Sequence, residues 1–301
     1  MHDCVIIGGG PAALSAAVYA LGKGLDTLLV FEDLGGQVGV RQRFIGQLSD
    51  EYLAGEEAVR MLQRRIIKQS ERSLNDRVLG VTAGEGLFLI ETQRHGTLSA
   101  ATLLVATGAN PVLLNVPGAK DLLGYGLGYS ITTHAHLLKG RRVGVIGATT
   151  RALRGVAELA RVASQVQLIL PATTCPPADL LAQVARLPNV TVLAECEIRA
   201  IVGSSAVEHV VVEQEGQAAF VRVDAVFADL GLLPNSAIVR HLVQTDPEGF
   251  IVVNGRQATS RPGIFAAGDV STAPVEQMLI AIGDGARAAA SAYDYLLLPQ
   301  R

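Results

Sequence analysis

The sequence predicts an α/β protein with two parallel-sheet units, because one pattern of strand, glycine turn and helix occurs in it twice. The first copy, residues 5–13, is VIIGGGPAA, and the second copy, residues 143–151, is VGVIGATTR. In each copy an apolar run precedes the turn and helix-forming residues follow it. This order is typical of Rossmann-like units that bind dinucleotides. A chain of 301 residues is long enough for two domains.

Composition excludes several other classes of protein. The chain is 49% hydrophobic, which suits buried parallel sheets, and its net charge of -3 gives no sign of nucleic-acid binding. The longest uncharged stretch, residues 97–119, is interrupted by glycine and proline, so no transmembrane segment is expected. The first fingerprint begins at residue 5, which leaves no room for a signal peptide and predicts a cytoplasmic location. The three cysteines are scattered, so neither a metal site nor a disulfide framework is expected.

The first fingerprint has the residues that a pyrophosphate site needs. Gly8 permits the tight turn, and Gly10 lets the backbone approach a pyrophosphate at the helix N-terminus. Ala13 is small enough for close packing of helix on strand, and Pro11 and Ala12 open the helix. A second apolar strand ends at Glu32, at the spacing where an acid binds a ribose hydroxyl. The alternative is a glycine-rich turn without a ligand.

Two later segments indicate which family of dinucleotide-binding proteins the chain resembles. Residues 103–108, LLVATG, and residues 263–269, GIFAAGD, each form a strand that ends in a small-residue turn. With the first fingerprint they resemble the three FAD motifs of the two-dinucleotide-domain flavoproteins. The GGQ sequence at residues 35–37, together with Gln277, is similar to the low-molecular-weight thioredoxin reductases, in the pyridine nucleotide-disulfide oxidoreductase superfamily.

The resemblance implies one bound FAD. It places Asp269 at the ribityl chain of the cofactor, and it expects the helical segment 278–292 to direct its N-terminus at the flavin. At Arg43 the family usually has Asn, so the chain departs from the pattern there. The implied FAD-binding residues are Gly8, Gly10, Pro11, Ala12, Ala13, Glu32, Gly36, Gln37, Arg43, Thr107, Gly108, Gly268, Asp269, Glu276 and Gln277.

The resemblance also implies the domain organisation. Two Rossmann-like domains of the three-layer ββα type are expected, with a discontinuous FAD-binding domain at residues 1–113 and 237–301. The NAD(P)-binding-like domain is inserted at residues 114–236. Relatives are homodimers, and residues 46–65, which include Tyr52 and Met61, form an amphipathic pattern that suits either a partner chain or the core.

The redox disulfide of the family is missing from its expected place. The two positions of the CxxC motif fall on Ser130 and Thr133, and His134 follows where the family has an acid. Hydroxyl groups cannot carry electrons by thiol–disulfide exchange. His134 is either a proton relay at the flavin or a residue that fills the space of the disulfide. A spatial pair of Cys175 and Cys196 stays open as a relocated disulfide.

The second fingerprint also departs from the family pattern. Thr149 replaces its middle glycine, which is unfavourable if a positive φ is required there. Residues 170–176, LPATTCP, lack the arginine cluster for the 2′-phosphate of NADPH and lack an acid for a ribose. NAD(P)H binding in the usual manner is therefore not expected, although a second nucleotide or flavin is possible. Its contacts would be Gly147, Ala148, Thr149, Thr150 and Arg151; Arg151 and Arg154 either touch phosphate or are solvated.

The sequence thus favours an FAD-dependent oxidoreductase of the thioredoxin reductase-like family that works without a CxxC disulfide. Its partner would be a small redox protein (ferredoxin or flavodoxin), a quinone or another small-molecule acceptor, or a non-standard second nucleotide. One alternative is an NAD(P)H-dependent thioredoxin-disulfide reductase or a ferredoxin–NADP reductase of the same family. An alternative of another class is a non-catalytic FAD-binding sensor.

Overall fold

A computed structural model describes residues 1–36, 55–68, 70–272, 275 and 277–297. The described residues divide into two compact units. Unit 1 contains the residues up to 110 and from 233 onward, and unit 2 contains Pro111–Leu232. The sequence placed these boundaries at 113/114 and 236/237, three and four residues later.

Six α-helices and sixteen strands are present in the described part of the chain. The helices are α1 (Pro11–Gly22), α2 (Gly55–Ile67), α3 (Ile131–His134), α4 (Thr150–Leu159), α5 (Ala178–Val184) and α6 (Met278–Leu297). The strands are β1 (His2–Ile7), β2 (Thr27–Phe31), β3 (Ser73–Asn75), β4 (Val78–Ala83), β5 (Phe88–Thr92), β6 (Gly96–Val105), β7 (Ala109–Pro111), β8 (Leu127–Gly128), β9 (Arg142–Ile146), β10 (Gln165–Pro171), β11 (Val190–Val202), β12 (His209–Gln214), β13 (Gln217–Arg222), β14 (Ala225–Ala228), β15 (Leu232–Pro234) and β16 (Ile264–Ala266).

Unit 1 is built on a sheet in the order β3-β2-β1-β6-β5-β4, with β16 also paired to β6. The strands β1, β2, β3, β6 and β16 are parallel where they pair, and β4 and β5 form an antiparallel extension. The alanine-rich helices α1 and α6 pack on one face of the sheet. Their backbones approach closely, since a Cβ added at Gly285 would overlap the carbonyl oxygen of Ala12. The opposite face is covered by an apolar cluster that includes Val239 and Ile251.

Unit 2 is built on a sheet in the order β13-β12-β11-β10-β9-β14-β8. Its central strands are parallel, whereas β11, β12 and β13 form an antiparallel meander. Helix α4 packs on this sheet through buried residues such as Leu153 and Val156, because apolar side chains recur at helical spacing along it. Both units are mixed α/β layers, so the predicted fold class is confirmed.

Some elements differ in extent from the sequence prediction. Strand β6 begins at Gly96 rather than at residue 103, because its first half pairs with β5 outside the parallel core. Helix α6 continues to Leu297. Of the predicted helix 46–65, residues 46–54 lie outside the described part of the chain, and α2 begins at Gly55 and ends at Ile67.

On α2 the apolar residues divide between solvent and core. Met61 is exposed, and Leu62 packs against the core of unit 1. The segments that join the two units, β7 and β15, pair as a two-stranded sheet. Within the described residues, no helix combines the length and the apolar character needed to cross a bilayer.

Candidate functional site

The first glycine turn is fixed by the close approach of neighbouring strands. Gly8 follows β1 with a φ of 130°, and its N–H donates to the carbonyl of Val30 at 2.8 Å. A Cβ added at Gly8 would overlap the carbonyl oxygen of Ala106, at the end of β6. Only glycine combines this positive φ with this absence of side-chain volume. The turn therefore holds the N-terminus of α1 at the carboxyl edge of the sheet.

Open space surrounds the N-terminus of α1. Gly10 is the N-cap residue, with extended backbone (φ -78°, ψ -178°) and no side-chain cap, and Pro11 begins the helix. A Cβ added at Gly10 would meet no atom within 4 Å. Gly36 lies beside it with a φ of 56°, and a Cβ there would come within 2.9 Å of the Gly10 Cα. Glycine at both positions thus leaves an uncapped helix N-terminus open, which suits a pyrophosphate.

Glu32 lies where the fingerprint requires an acid, just after β2. Its side chain is 61% exposed, and its carboxylate lies 3.7 Å from Nε of Arg77. Its main-chain carbonyl accepts a hydrogen bond from Asn75 at 2.8 Å. The backbone of Glu32 is therefore held in place while the carboxylate keeps access to solvent and to a ribose hydroxyl.

The turn after β6 is closed by a residue that the sequence analysis did not assign to the site. The Thr107 hydroxyl donates to the carbonyl oxygen of Asn235 at 2.7 Å. The Asn235 amide donates to the carbonyl oxygen of Thr107 at 2.9 Å, and its N–H donates to that of Gly108. Asn235 directly follows β15, so the signal that could have identified it was a Pro-Asn pair at a crossing between units.

The last FAD motif contains a positive-φ glycine, and a buried donor without a partner among the described residues follows it along the chain. Gly268 has a φ of 71° and opens a short 3₁₀ turn that contains Asp269. Nε2 of Gln277, just before α6, is buried and has no hydrogen-bond partner among the residues that the structure describes. A buried donor without an acceptor is costly, and it suits a polar group of a ligand. The open space at Gly10 and this donor fit FAD. Gln37, Arg43 and Glu276, also predicted for this site, lie outside the described residues.

The second glycine turn has the same backbone form with different side chains. Gly147 follows β9 with a φ of 149°. Thr149 is the N-cap of α4 with a φ of -69°, and its hydroxyl accepts from the N–H of Ala152 at 2.9 Å. A positive φ, the condition under which Thr149 would be unfavourable, is not present, because the backbone there is extended. Threonine caps the helix in the usual way.

Arg151 is partly exposed, and its guanidinium is paired with an aspartate. Its Nε lies 2.8 Å from Oδ2 of Asp229, and its Nη2 donates to Oδ1 at 2.9 Å. The Asp229 side chain is 3% exposed and also accepts from the Thr149 hydroxyl. Arg154, one turn later, is exposed. Sequence reasoning missed Asp229, although an acid directly after a buried strand is a recognisable signal.

The segment after β10 offers no cation to a ligand. Ala172, Thr173, Thr174 and Cys175 follow the strand, and the Thr174 hydroxyl donates to the carbonyl oxygen of Pro171. The described residues of the second fingerprint therefore do not fit a pyridine dinucleotide bound in the usual way. Thr149 caps the helix N-terminus where the first fingerprint has open space, and Asp229 pairs with Arg151.

The predicted positions of the lost disulfide lie on and beside the one-turn helix α3. Ser130 is its N-cap residue, and its carbonyl oxygen is 2.9 Å from Nδ1 of His134. The His134 ring stacks on Phe227 with 6.4 Å between centroids. Burial lowers the pKa of His134, and His136 lowers it further, against the raising effect of the Ser130 carbonyl. His134 is therefore held neutral against the core of unit 2. The second predicted position, Thr133, belongs to the same helix.

All three cysteines are free. Cys4 and Cys196 are buried, and Cys175 is exposed. Burial raises the pKa of the Cys4 thiol to about 12, and it also raises the pKa of Cys196. A raised pKa leaves little thiolate at neutral pH, so neither buried thiol is suited to disulfide exchange.

The fold consists of two Rossmann-like units, and the open glycine turn of the first unit fits the pyrophosphate of a dinucleotide. A family model described as pyridine nucleotide-disulphide oxidoreductase matches residues 2–285. The chain therefore belongs to the pyridine nucleotide-disulphide oxidoreductase family, a family of FAD-dependent oxidoreductases.

Individual relatives agree with this assignment. An alkyl hydroperoxide reductase component of Pseudomonas aeruginosa is 33% identical over an alignment of 304 residues, and the match covers 98% of this chain and 58% of that protein. NADH dehydrogenase of Bacillus subtilis is 30% identical over an alignment of 298 residues, and the match again covers 98% of this chain and 58% of that protein. The chain thus spans less than two thirds of the length of these curated relatives.

A solved structure matches over nearly the whole chain. Thioredoxin reductase from Streptococcus pyogenes is 26% identical with a TM-score of 0.86, covering 99% of this chain and 98% of that one. The resemblance to thioredoxin reductases that the motifs predicted is confirmed.

Proposed function

We propose that the chain is an FAD-dependent oxidoreductase that exchanges electrons with an external partner without a CxxC disulfide. The observation that carries the proposal is the open helix N-terminus at Gly10. The buried amide of Gln277, which has no hydrogen-bond partner among the described residues, supports it. Bound FAD supplies a ring system that accepts and donates one or two electrons. Partners that suit such a site are a ferredoxin or flavodoxin, a quinone or another small-molecule acceptor.

Unit 1 binds and orients the cofactor in this proposal. Gly8, Gly10 and Gly36 leave room for the pyrophosphate at the N-terminus of α1, and the carboxylate of Glu32 accepts from a ribose hydroxyl. Asp269 holds the ribityl chain, and Gln277 donates from the N-terminus of α6. The hydroxyl of Thr107 donates to the carbonyl oxygen of Asn235. Thr107 therefore shapes the turn beside the cofactor rather than donating to the cofactor.

The residues of unit 2 oppose the electron path of a thioredoxin reductase. Ser130 and Thr133 have no sulfur, and no buried cysteine replaces them as a reactive thiol. His134 is held against Phe227 by stacking and by the carbonyl of Ser130, which favours the space-filling role over the relay. A relocated disulfide of Cys175 and Cys196 is opposed by the burial of Cys196.

The second candidate function is an NAD(P)H-dependent reductase of the same family. The names of the relatives favour it, because one of them is an NADH dehydrogenase and others are components of alkyl hydroperoxide reductases. The second fingerprint, in which Thr149 caps the helix and Asp229 pairs with Arg151, opposes it. One experiment decides between the two candidates.

The experiment is anaerobic stopped-flow reduction of the FAD-loaded protein by NADH, by NADPH and by reduced ferredoxin. We expect fast reduction by ferredoxin and slow reduction by both nicotinamides. Rapid oxidation of NADPH that depends on thioredoxin would contradict the proposal and support the second candidate. Failure with all three donors would contradict it in favour of a non-catalytic FAD-binding sensor.

Two further measurements test the rest of the proposal. Denaturation followed by nucleotide analysis should release one FAD per chain, and a second nucleotide or flavin in equal amount would show that unit 2 is occupied. The homodimer remains a prediction that rests on the resemblance. Light scattering after gel filtration measures it, and a monomer at micromolar concentration would exclude it.

A further inference from the structure

The two fingerprints can be compared position by position, because the same strand pairings surround them. Ile7 of β1 pairs with Val105 of β6, and Ile146 of β9 pairs with Ala228 of β14. The residue after each partner strand is therefore equivalent, and these residues are Ala106 and Asp229. Their carbonyl oxygens confirm the match, because a Cβ added at Gly8 or Gly147 would overlap that of Ala106 or Asp229 respectively.

Two positions with little or no side chain in the first copy are polar in the second. Gly10 becomes Thr149, and Ala106 becomes Asp229. These two new side chains contact each other, since the Thr149 hydroxyl donates to Oδ1 of Asp229 at 3.1 Å. The N-terminus of α1 is open, whereas the side chains of Thr149 and Asp229 lie at the equivalent place at the N-terminus of α4.

The carboxylate of Asp229 uses the groups that a phosphate would need. Arg151 reaches both of its oxygens, at 2.8 and 2.9 Å, in the two-pronged geometry that guanidinium also uses for phosphate. The side chain of Asp229 is nearly fully buried, so water does not screen its charge. A pyrophosphate at this helix would lie beside a buried anion, with Arg151 already neutralised by it.

We infer that Asp229 is a specificity-determining residue that excludes the pyrophosphate of a dinucleotide from unit 2. The inference deepens the proposed function and rests on it, because it explains why electrons would reach the flavin from an external partner. It predicts that the excluded nucleotide can be readmitted by removing one charge.

The experiment is calorimetric titration of the FAD-loaded protein with ADP-ribose. This probe has a pyrophosphate but no redox ring, so its binding is independent of flavin reduction. Asp229→Asn keeps the shape and removes the charge, and we expect it to bind ADP-ribose at least about tenfold more tightly than the wild type. The double variant Asp229→Ala with Thr149→Gly recreates the first copy and should show the same gain.

A matched control lies at the other end of the same strand. Asp224 precedes β14 and forms a two-pronged pair with Arg142, at 2.5 and 3.2 Å. Asp224→Asn therefore breaks an aspartate–arginine pair in unit 2 without touching the fingerprint, and it should leave ADP-ribose affinity unchanged.

Two results would overturn the inference. One is an Asp229→Asn protein that retains FAD and melts cooperatively but binds ADP-ribose no more tightly than Asp224→Asn. The double variant decides in the same way if Asp229→Asn does not fold. The other is tight ADP-ribose binding by the wild type, with Asp229 in place. Failure of all three donors to reduce the wild type would contradict the proposed function and leave this comparison of affinities intact.

Discussion

The two glycine turns of this chain share a backbone and differ in what surrounds the helix that follows. Gly8 and Gly147 both have a positive φ, and both glycines lie against the carbonyl of a neighbouring strand. The first helix begins at a glycine without a cap, and the second begins at a threonine that caps it and contacts an aspartate. The comparison shows that a fold can be kept while its ligand site is filled. The four predictions below test it, from the largest effect to the smallest.

The largest effect is expected from alanine at the first turn. Gly8→Ala places a Cβ against Ala106 in a backbone conformation that alanine avoids, so we expect it to destabilise unit 1 by about 3 kcal/mol or more and to abolish FAD binding. Gly147→Ala creates the equivalent clash in unit 2 and should leave FAD in place. FAD content after desalting and thermal melts measure both variants. Normal FAD content in Gly8→Ala would show that this turn does not hold the cofactor.

A smaller effect is expected when the threonine of the second copy is moved to the first. Gly10→Thr meets no protein atom at its Cβ, so the fold should be kept while FAD affinity falls by about tenfold or more. Gly22→Ala, at the other end of α1 and also in open space, is the matched control and should not alter affinity. Titration of the apoprotein with FAD measures both. Equal affinities for the two variants would place the pyrophosphate elsewhere.

The sequence predicted the features that depend on local pattern. The strand–turn–helix units, the strand before Glu32 and the helix after Gln277 could all be read from apolar periodicity and glycine positions. Asp229 could not be assigned, because its partners Thr149 and Arg151 are about 80 residues away and only the pairing of β9 with β14 brings them together. The φ of Thr149 could not be predicted for a related reason, since the backbone angle of an N-cap residue depends on how the turn is built.

The two units should also respond differently to acid. Burial lowers the pKa of His134 in unit 2, so the unfolded chain binds the proton more readily, and stability falls as pH drops below about 6.5. In unit 1, burial raises the pKa of Asp76, but hydrogen bonds from His95, Arg77 and Arg94 outweigh this and hold it low. That stability is present above the unfolded pKa and is lost only as pH falls below about 4.

Thermal melts of His134→Gln and Asp76→Asn across pH separate these contributions. Between pH 7 and 5 the wild type should lose a few degrees in Tm relative to His134→Gln. The loss below pH 4 should be smaller in Asp76→Asn than in the wild type. A His134→Gln protein with the same slope between pH 7 and 5 as the wild type would show that this histidine is not held neutral.

The smallest effect is expected from thiol reagents on the native protein. Cys175 is exposed and should react, whereas Cys4 and Cys196 are buried and should react only after denaturation. A chromogenic disulfide reagent should therefore count one thiol in the native protein and three in the denatured protein. Cys175→Ser should lower both counts by one and leave flavin reduction unchanged. A loss of two thiols on mild oxidation of the native protein would revive the relocated disulfide.

The pair of Asp229 and Arg151 affects how the stability of each unit depends on ligand concentration. A ligand that binds only the folded state stabilises it in proportion to the logarithm of its concentration, so the stability of unit 1 rises and falls with the FAD available to it. The anion at the N-terminus of α4 is the carboxylate of Asp229. Because it belongs to the chain, its effective concentration is fixed by covalent structure. No metabolite has to saturate that helix, and unit 2 gains this stabilisation at any nucleotide level in the cell.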